Sequence, residues 1–302
     1  MNLNELFTKV NPAIVCFINR MIPAVPGKSK PDFPQILGTG FLIDSNGMAV
    51  TNRHVIAAFS HFAKRPDTGQ LPVAAVGFYS DDQGAWQMLV HELFDWHAIG
   101  KFESSGEWFG EDNPDIGFVQ LNVREMPYLS LATEDYAIKI GMSIATVGYP
   151  MGTASLTAMG KLSQVTPFIR QGIVSSVFPF PIPQPHGFTI DIMQQGGSSG
   201  SPILDPETNK VIGLMRGSVL DQSLIKTPAG DVWAIQSNTN ISIIEPAHII
   251  DAAYQHFKTV KRDVPRFETL VERRAKYPKE EGAFREMQWE TIVVPRPDSA
   301  NG

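Results

Sequence analysis

Cysteine is nearly missing from this chain: of 302 residues, only Cys16 carries a thiol. No intrachain disulfide can form and no Cys/His grouping has zinc-site spacing, so no metal or other cofactor is expected and stability must come from buried apolar surface. Long apolar runs are missing too, since none approaches the roughly 18 residues that make a bilayer-spanning candidate. The N-terminal stretch MNLNELFTKVNPAIVCFINR lacks a positive leader and a small-residue cleavage site. Together these absences predict a protein of a reducing compartment, with a cytoplasmic location and no membrane association. Blocks of Lys and Arg are absent before residue 260 and the net charge is −6. That argues against a nucleic-acid footprint and leaves protein or peptide partners.

What is present is a supply of short apolar segments. Hydrophobic residues make up 43% of the chain, enough for one large or two modest cores. From residue 11 to about 245 they fall into segments such as ILGTGFLID, MAVTNRHVI, VAAVGFYS, DIGFVQL, SIATVGYP, FTIDIM and VIGLMRGSV, punctuated by Gly, Pro, Asn and Asp. Strands of that length with frequent turns predict an all-β sandwich or barrel, because an α/β chain would interleave long helical periods. A polar stretch at 124–141 separates two groups of roughly six strands each. Beyond them PAHIIDAAYQHFK (246–258) has helical spacing, with Ile249, Ile250, Ala253 and Tyr254 on one face. The rest is charged and carries prolines at 265, 278, 295 and 297, which allows at most one more helix near 267–276. The chain thus divides into 1–130, 131–245 and a helix with a charged peripheral tail at 246–302.

The stretch QQGGSSGSPIL (194–204) resembles a linker in composition, yet it stands between two strand-like segments. Three serines, Ser198, Ser199 and Ser201, are candidate nucleophiles. A hydroxyl needs a base and the base needs an orienter, usually His and Asp, because imidazole titrates near neutrality and a carboxylate fixes its tautomer. Of seven histidines only His54 sits where a strand pattern gives way to a short helical one. His61, His91, His97, His186, His248 and His256 are scattered and read as structural or surface residues. Asp115 opens the apolar strand DIGFVQL and is the carboxylate candidate; Asp112, in the polar loop before it, is the alternative.

The order His54, Asp115, Ser199 resembles the trypsin-like serine proteases, and within them the disulfide-poor HtrA/Deg type. The resemblance rests on GTGFLI (38–43), VTNRHVI (50–56), DIGFVQL (115–121), VGYP (147–150), QGIVSS (171–176) and GSSGSP (197–202), all in family order, and covers about residues 10–258. It implies two packed six-stranded antiparallel β-barrels, with His54 and Asp115 on the first and Ser199 on the second. It further implies a serine endopeptidase acting through an acyl-enzyme, with Gly197 and Ser199 N–H groups as the oxyanion hole. By the same correspondence Met193, Arg216, Gly217 and Ser218 wall the pocket for the residue before the scissile bond, with Met215 adjacent. No Asp lies at the pocket base, so Lys/Arg preference is not expected, and the methionines suggest a medium apolar residue.

The chain departs from the family at Ser198, where Asp or Asn is usual, and at Ser201, where a second Gly is usual. The polar stretch FESSGEWFGEDN between the histidine and aspartate motifs reads as a surface insertion, and the tail is too short for the PDZ domain that many members carry. An α/β-hydrolase elbow with Ser198 as nucleophile would need a helix directly after it, which Ser201-Pro202 opposes. A binding module that keeps the protease fold without activity is the rival of a different class.

Overall fold

Apolar, β-branched segments pair as antiparallel strands and close into two six-stranded barrels. The structure, a computed structural model, describes residues 2–23, 35–62, 64, 69, 71–80, 86–100, 114–132, 135–150, 167–182, 184–226, 231–260, 263–276 and 292–294. In the first barrel β1 (Ile14–Asn19), β3 (Gln35–Leu42), β4 (Met48–Thr51), β7 (Gly117–Leu121), β6 (Trp86–Ala98) and β5 (Val73–Ser80) follow one another around the wall. The second runs β10 (Gly187–Ile190), β13 (Val232–Pro246), β12 (Val211–Lys226), β11 (Pro202–Leu204), β8 (Ser143–Gly148) and β9 (Phe168–Phe178). A parallel pair, β2 (Met21–Pro23) with β14 (Ile292–Val294), lies outside both. The all-β double barrel expected from the sequence is the architecture found.

Phe17, Phe41, Phe78 and Phe118 fill the first barrel, in a cluster that continues through Ala145, Val147 and Tyr149 toward the second. Phe188, Ile190, Met215 and Ile244 fill the second. The helix expected at 246–258 forms as α3 (Ala247–Thr259), burying Ile249, Ile250, Ala253 and Tyr254, and the one further helix that the tail allowed near 267–276 is α4 (Leu270–Lys276). The N-terminal α1 (Leu3–Val10) was not anticipated, although its capping box, Asn2 with Glu5, is written in the sequence. The insertion FESSGEWFGEDN and the end of the charged tail lie outside the described residues. A further difference is the length of the β12–β13 hairpin. Its outer pairs run from Leu220↔Asn238 to Lys226↔Val232, past the point where barrel burial ends, and carry exposed Leu224, Val232 and Trp233.

Thr39, in the middle of β3, fastens one barrel to the other. Its Oγ1 donates to the Gly197 carbonyl at 2.7 Å and accepts the Tyr149 N–H at 3.1 Å; its own N–H donates to the Ser199 carbonyl at 2.8 Å. Thr51 Oγ1 donates to its carbonyl at 2.7 Å, so every polar group of this buried residue is paired. Close approach needs glycine around it: a Cβ on Gly38 would stand 2.7 Å from Val55 Cγ2, and one on Gly200, at φ +87°, 1.9 Å from the Thr39 carbonyl oxygen.

Helix α4 is tied to the first barrel through His91, which was read as a structural histidine and is fully buried. Arg273 Nη1 donates to His91 Nδ1 at 2.8 Å, which leaves Nε2–H facing Tyr79 Oη at 2.9 Å. Arg273 also donates to Asn122 Oδ1 at 3.0 Å and to Glu268 Oε1 at 2.6 Å. Burial, reinforced by the Arg273 charge, lowers the His91 pKa to about 3.

Two predictions follow from these ties. Thr39→Val keeps the shape but leaves the Gly197 carbonyl and Tyr149 N–H without their partner. It is expected to lower stability by about 1–3 kcal/mol in urea denaturation, and an unchanged midpoint counts against the tie. His91, with a folded pKa below its unfolded one, lets the unfolded state bind the extra proton between pH 6.5 and 3. Stability therefore falls as pH drops through that window, by up to about 1.4 kcal/mol per pH unit from this group. His91→Gln should flatten the slope, and parallel slopes for the two proteins contradict the assignment.

Candidate active site

The segment VTNRHVI bends from β4 into α2 (Arg53–Phe59), and this bend aims His54. Asn52, fully buried just before the helix, donates its Nδ2 to the Asp115 carbonyl at 2.9 Å. Gly117 lets the helix approach, since a Cβ there would meet Ile56 Cδ1 at 2.2 Å. These contacts bring together what the sequence separates by 61 residues. Asp115 Oδ2 lies 2.7 Å from His54 Nδ1, and Asp115 Oδ1 accepts the His54 backbone N–H at 3.0 Å. The His54 side chain is 51% exposed and that of Asp115 10%. Burial raises the Asp115 pKa, but the hydrogen bonds and charge of His54, with the charge of Arg216, outweigh it and hold the carboxyl below its ordinary 3.8. An ionised carboxylate only accepts, so Nδ1 carries the proton and Nε2 is left basic. Asp112, the alternative, lies outside the described residues.

Glu245, on β13 of the second barrel, accepts the Asp115 backbone N–H at 3.1 Å. Arg216 Nη1 stands 3.4 Å from the same Oε1. The Arg216 guanidinium therefore has a carboxylate partner, while its backbone carbonyl faces Gln194 Nε2 at 3.4 Å.

Ser199 sits in the tight turn that precedes β11. Gly197 and Gly200 adopt φ of +88° and +87°, open to glycine at little cost. Ser198 is fully buried; its N–H donates to the Gln195 carbonyl at 2.9 Å and its Oγ faces Arg170 Nη2 at 3.5 Å. Arg170 Nη1 donates to the Met193 carbonyl at 2.6 Å, which ties this loop to β9. Ser201 is likewise buried, so of the three serines Ser199 is the one that the loop presents. Among the described residues, neither the Gly197 nor the Ser199 N–H has a protein acceptor. Ser199 Oγ accepts from Gln194 Nε2 at 2.9 Å, and among the described residues no hydrogen bond joins it to His54.

Of the remaining expected wall residues, Gly217 and Ser218 pair with Ile243 and Ser242 on β13. Met215 is fully buried in the second barrel's core. Sequence reasoning missed Gln194, Glu245 and Arg170. Gln194 lies inside the quoted Gly/Ser stretch, but its rotamer is not legible there; Glu245 and Arg170 act through partners distant in sequence. No group of three or more metal-ligating side chains occurs among the described residues.

The Trypsin-like peptidase domain family matches residues 38–214. Two curated relatives are each named "Probable periplasmic serine endoprotease DegP-like". The one from Hahella chejuensis (strain KCTC 2396) is 27% identical over 228 residues, 66% of this chain and 46% of the relative. The one from Chlamydia pneumoniae is 24% identical over 148 residues, 49% of this chain and 24% of the relative. The chain thus spans less than half the length of either. Among solved structures, the HtrA-type protease AlgW with a decapeptide shares the fold at a TM-score of 0.51 and 14% identity, covering 84% of this chain and 67% of that one.

The relatives' periplasmic names overturn the cytoplasmic location expected from the N-terminal stretch and the single cysteine. The physical reason lies in the cores: barrels held by buried apolar side chains need no disulfide, so a lack of cysteine carries no information about compartment. Residues 38–214 are more than half of the chain, and they hold His54, Asp115 and Ser199 on two closed barrels: the chain belongs to the trypsin-like peptidase domain family.

Proposed function

We propose that this protein is a serine endopeptidase that cuts protein or peptide substrates through His54, Asp115 and Ser199. The observation that carries the reading is the His54 Nδ1 to Asp115 Oδ2 contact of 2.7 Å, together with a serine presented by a glycine turn. With Nδ1 bound to the carboxylate, Nε2 takes the Ser199 proton as Oγ attacks the peptide carbonyl carbon. The carbonyl π electrons move onto oxygen, where the Gly197 and Ser199 N–H groups receive them. Collapse expels the amine, which takes the proton from His54 and leaves an acyl-Ser199 ester. Water then repeats the sequence, losing its proton to His54, and frees Ser199.

Arg170 supports the reading from behind the loop, since it holds Met193 and faces Ser198 where other members of the family place an acidic residue or Asn. Oxyanion-loop order then needs no inserted N-terminal ammonium. Trimming between residues 11 and 20 cannot be the activating event, because Ile14–Asn19 is a fully buried barrel strand.

One observation favours the rival reading, a binding module: the hydrogen bond that occupies Ser199 Oγ comes from Gln194, not His54. A fluorophosphonate probe separates the two. The protease reading predicts labelling of the wild type and none of Ser199→Ala, with peptide turnover of Ser199→Ala, His54→Ala and Asp115→Asn each lower by about 10⁴ or more. Wild-type protein that folds yet neither labels nor cleaves supports the module.

A further inference from the structure

Arg216 was expected in the wall of the pocket before the scissile bond, but the register of β12 and β13 gives it another position. Met215 pairs with Ile244 and Gly217 with Ile243, so Arg216 is the extra residue of a β-bulge, with no β13 residue in register with it. An extra residue breaks the alternation of its strand and re-aims its side chain. Here the guanidinium meets Glu245, with Nη1 3.4 Å from Oε1, and the two side chains are 23% and 6% exposed. The same Oε1 accepts the Asp115 backbone N–H at 3.1 Å. One carboxylate oxygen therefore joins the bulge to the residue that holds His54 Nδ1. Among the described residues, the charged groups brought to Asp115 are His54 from α2, Glu245 from β13 and Arg216 from β12.

A backbone N–H needs only an acceptor, and a neutral amide would serve. A carboxylate in that place puts a second buried negative charge beside Asp115, and two such groups close together favour proton uptake by one of them. A guanidinium stays protonated and supplies the opposing charge. Burial raises the Asp115 pKa, and the His54 contacts and then the Arg216 charge bring it below its ordinary 3.8. Neither member of the ion pair is suited to act alone. Arg216 without Glu245 would oppose the imidazolium that forms on His54 during the reaction, and Glu245 without Arg216 would favour protonation of Asp115 and His54. Together they add no net charge and still hold the Asp115 backbone.

We propose that Arg216 and Glu245 are positioning residues for the reaction: their ion pair, set by the bulge, holds the Asp115 backbone against the second barrel and fixes the pH below which the Asp115–His54 pair takes up an inactivating proton. The proposal rests on the protease reading above and deepens it. Arg216 acts through Asp115 instead of selecting a substrate side chain.

The test is the rate of fluorophosphonate labelling of Ser199 in the full chain, followed from about pH 5 to pH 9, a measurement that needs no known substrate. In the wild type the rate falls on the acid side as the Asp115–His54 pair protonates, a titration that belongs to the pair and not to either residue. Glu245→Gln keeps the acceptor for Asp115 and removes a negative charge, so protonation becomes harder and the acid limb moves to lower pH. Arg216→Gln removes a positive charge, so protonation becomes easier and the limb moves to higher pH. Each shift should be about 0.5–1 pH unit, or about three- to tenfold in rate on the limb. The double variant restores the balance and should return the limb toward wild type, and Arg216→Lys should stay close to it. A merely structural role would lower the folded fraction or the plateau rate without shifts of opposite sign. If Arg216→Gln does not fold, because Glu245 is then buried without its cation, Glu245→Gln and the double variant still answer. An unmoved limb in Glu245→Gln, or shifts of the same sign in the two single variants, overturns the proposal and leaves the protease reading intact. Folded wild type that labels at none of these pH values overturns both.

Discussion

Everything in this active site depends on how two independently closed barrels are held in register, and the contact that sets it is made by Thr39. One side chain and its own backbone hold the Gly197 carbonyl, the Ser199 carbonyl and the Tyr149 N–H. Each barrel could shift relative to the other without disturbing its own hydrogen-bonded wall. Groups that react must come within hydrogen-bond reach, so a shift of an ångström between the barrels matters to any chemistry between His54 and Ser199. Fixing the serine loop directly to β3 removes that freedom. The glycines at 38 and 200 are the steric condition for it, because each would otherwise place a Cβ inside a neighbouring group.

A second cross-barrel contact acts on Asp115. Glu245 belongs to the second barrel, yet it receives the backbone N–H of Asp115 from the first. Arg216 balances the carboxylate it stands against and helps keep Asp115 ionised. Thr39 thus holds the Ser199 loop and Glu245 the Asp115 backbone, each across the same interface.

The legible part of this molecule was the part written in local spacing. Alternating apolar segments gave the strands, the helical face of Ile249, Ile250, Ala253 and Tyr254 gave α3, and VTNRHVI marked the turn that aims His54. Asn2 and Glu5 also announced a helix, but a four-residue capping signal is easily overlooked without a long periodic segment behind it. What could not be read were interactions that exist only after the barrels close. Glu245 and Asp115 are 130 residues apart, and no pattern around either points to the other. Gln194 was visible as a letter beside a Gly/Ser run, but the run itself conveyed only that the backbone turns. Whether the amide faced solvent, the barrel or Ser199 was set by Arg216 and Asn238, both more than twenty residues away. Compartment was misread for a different reason: cysteine count reports on disulfides, and these barrels need none.

The central claim, that Ser199 is the nucleophile and that the turn around it receives a developing oxyanion, is tested most directly by a crystal structure of the fluorophosphonate adduct. The account predicts phosphorus bonded to Ser199 Oγ, its phosphoryl oxygen within hydrogen-bond distance of both the Gly197 and Ser199 N–H groups, and Gln194 Nε2 no longer bound to Ser199 Oγ. An adduct on Ser198 or Ser201, or a phosphoryl oxygen directed away from those two N–H groups, would contradict it.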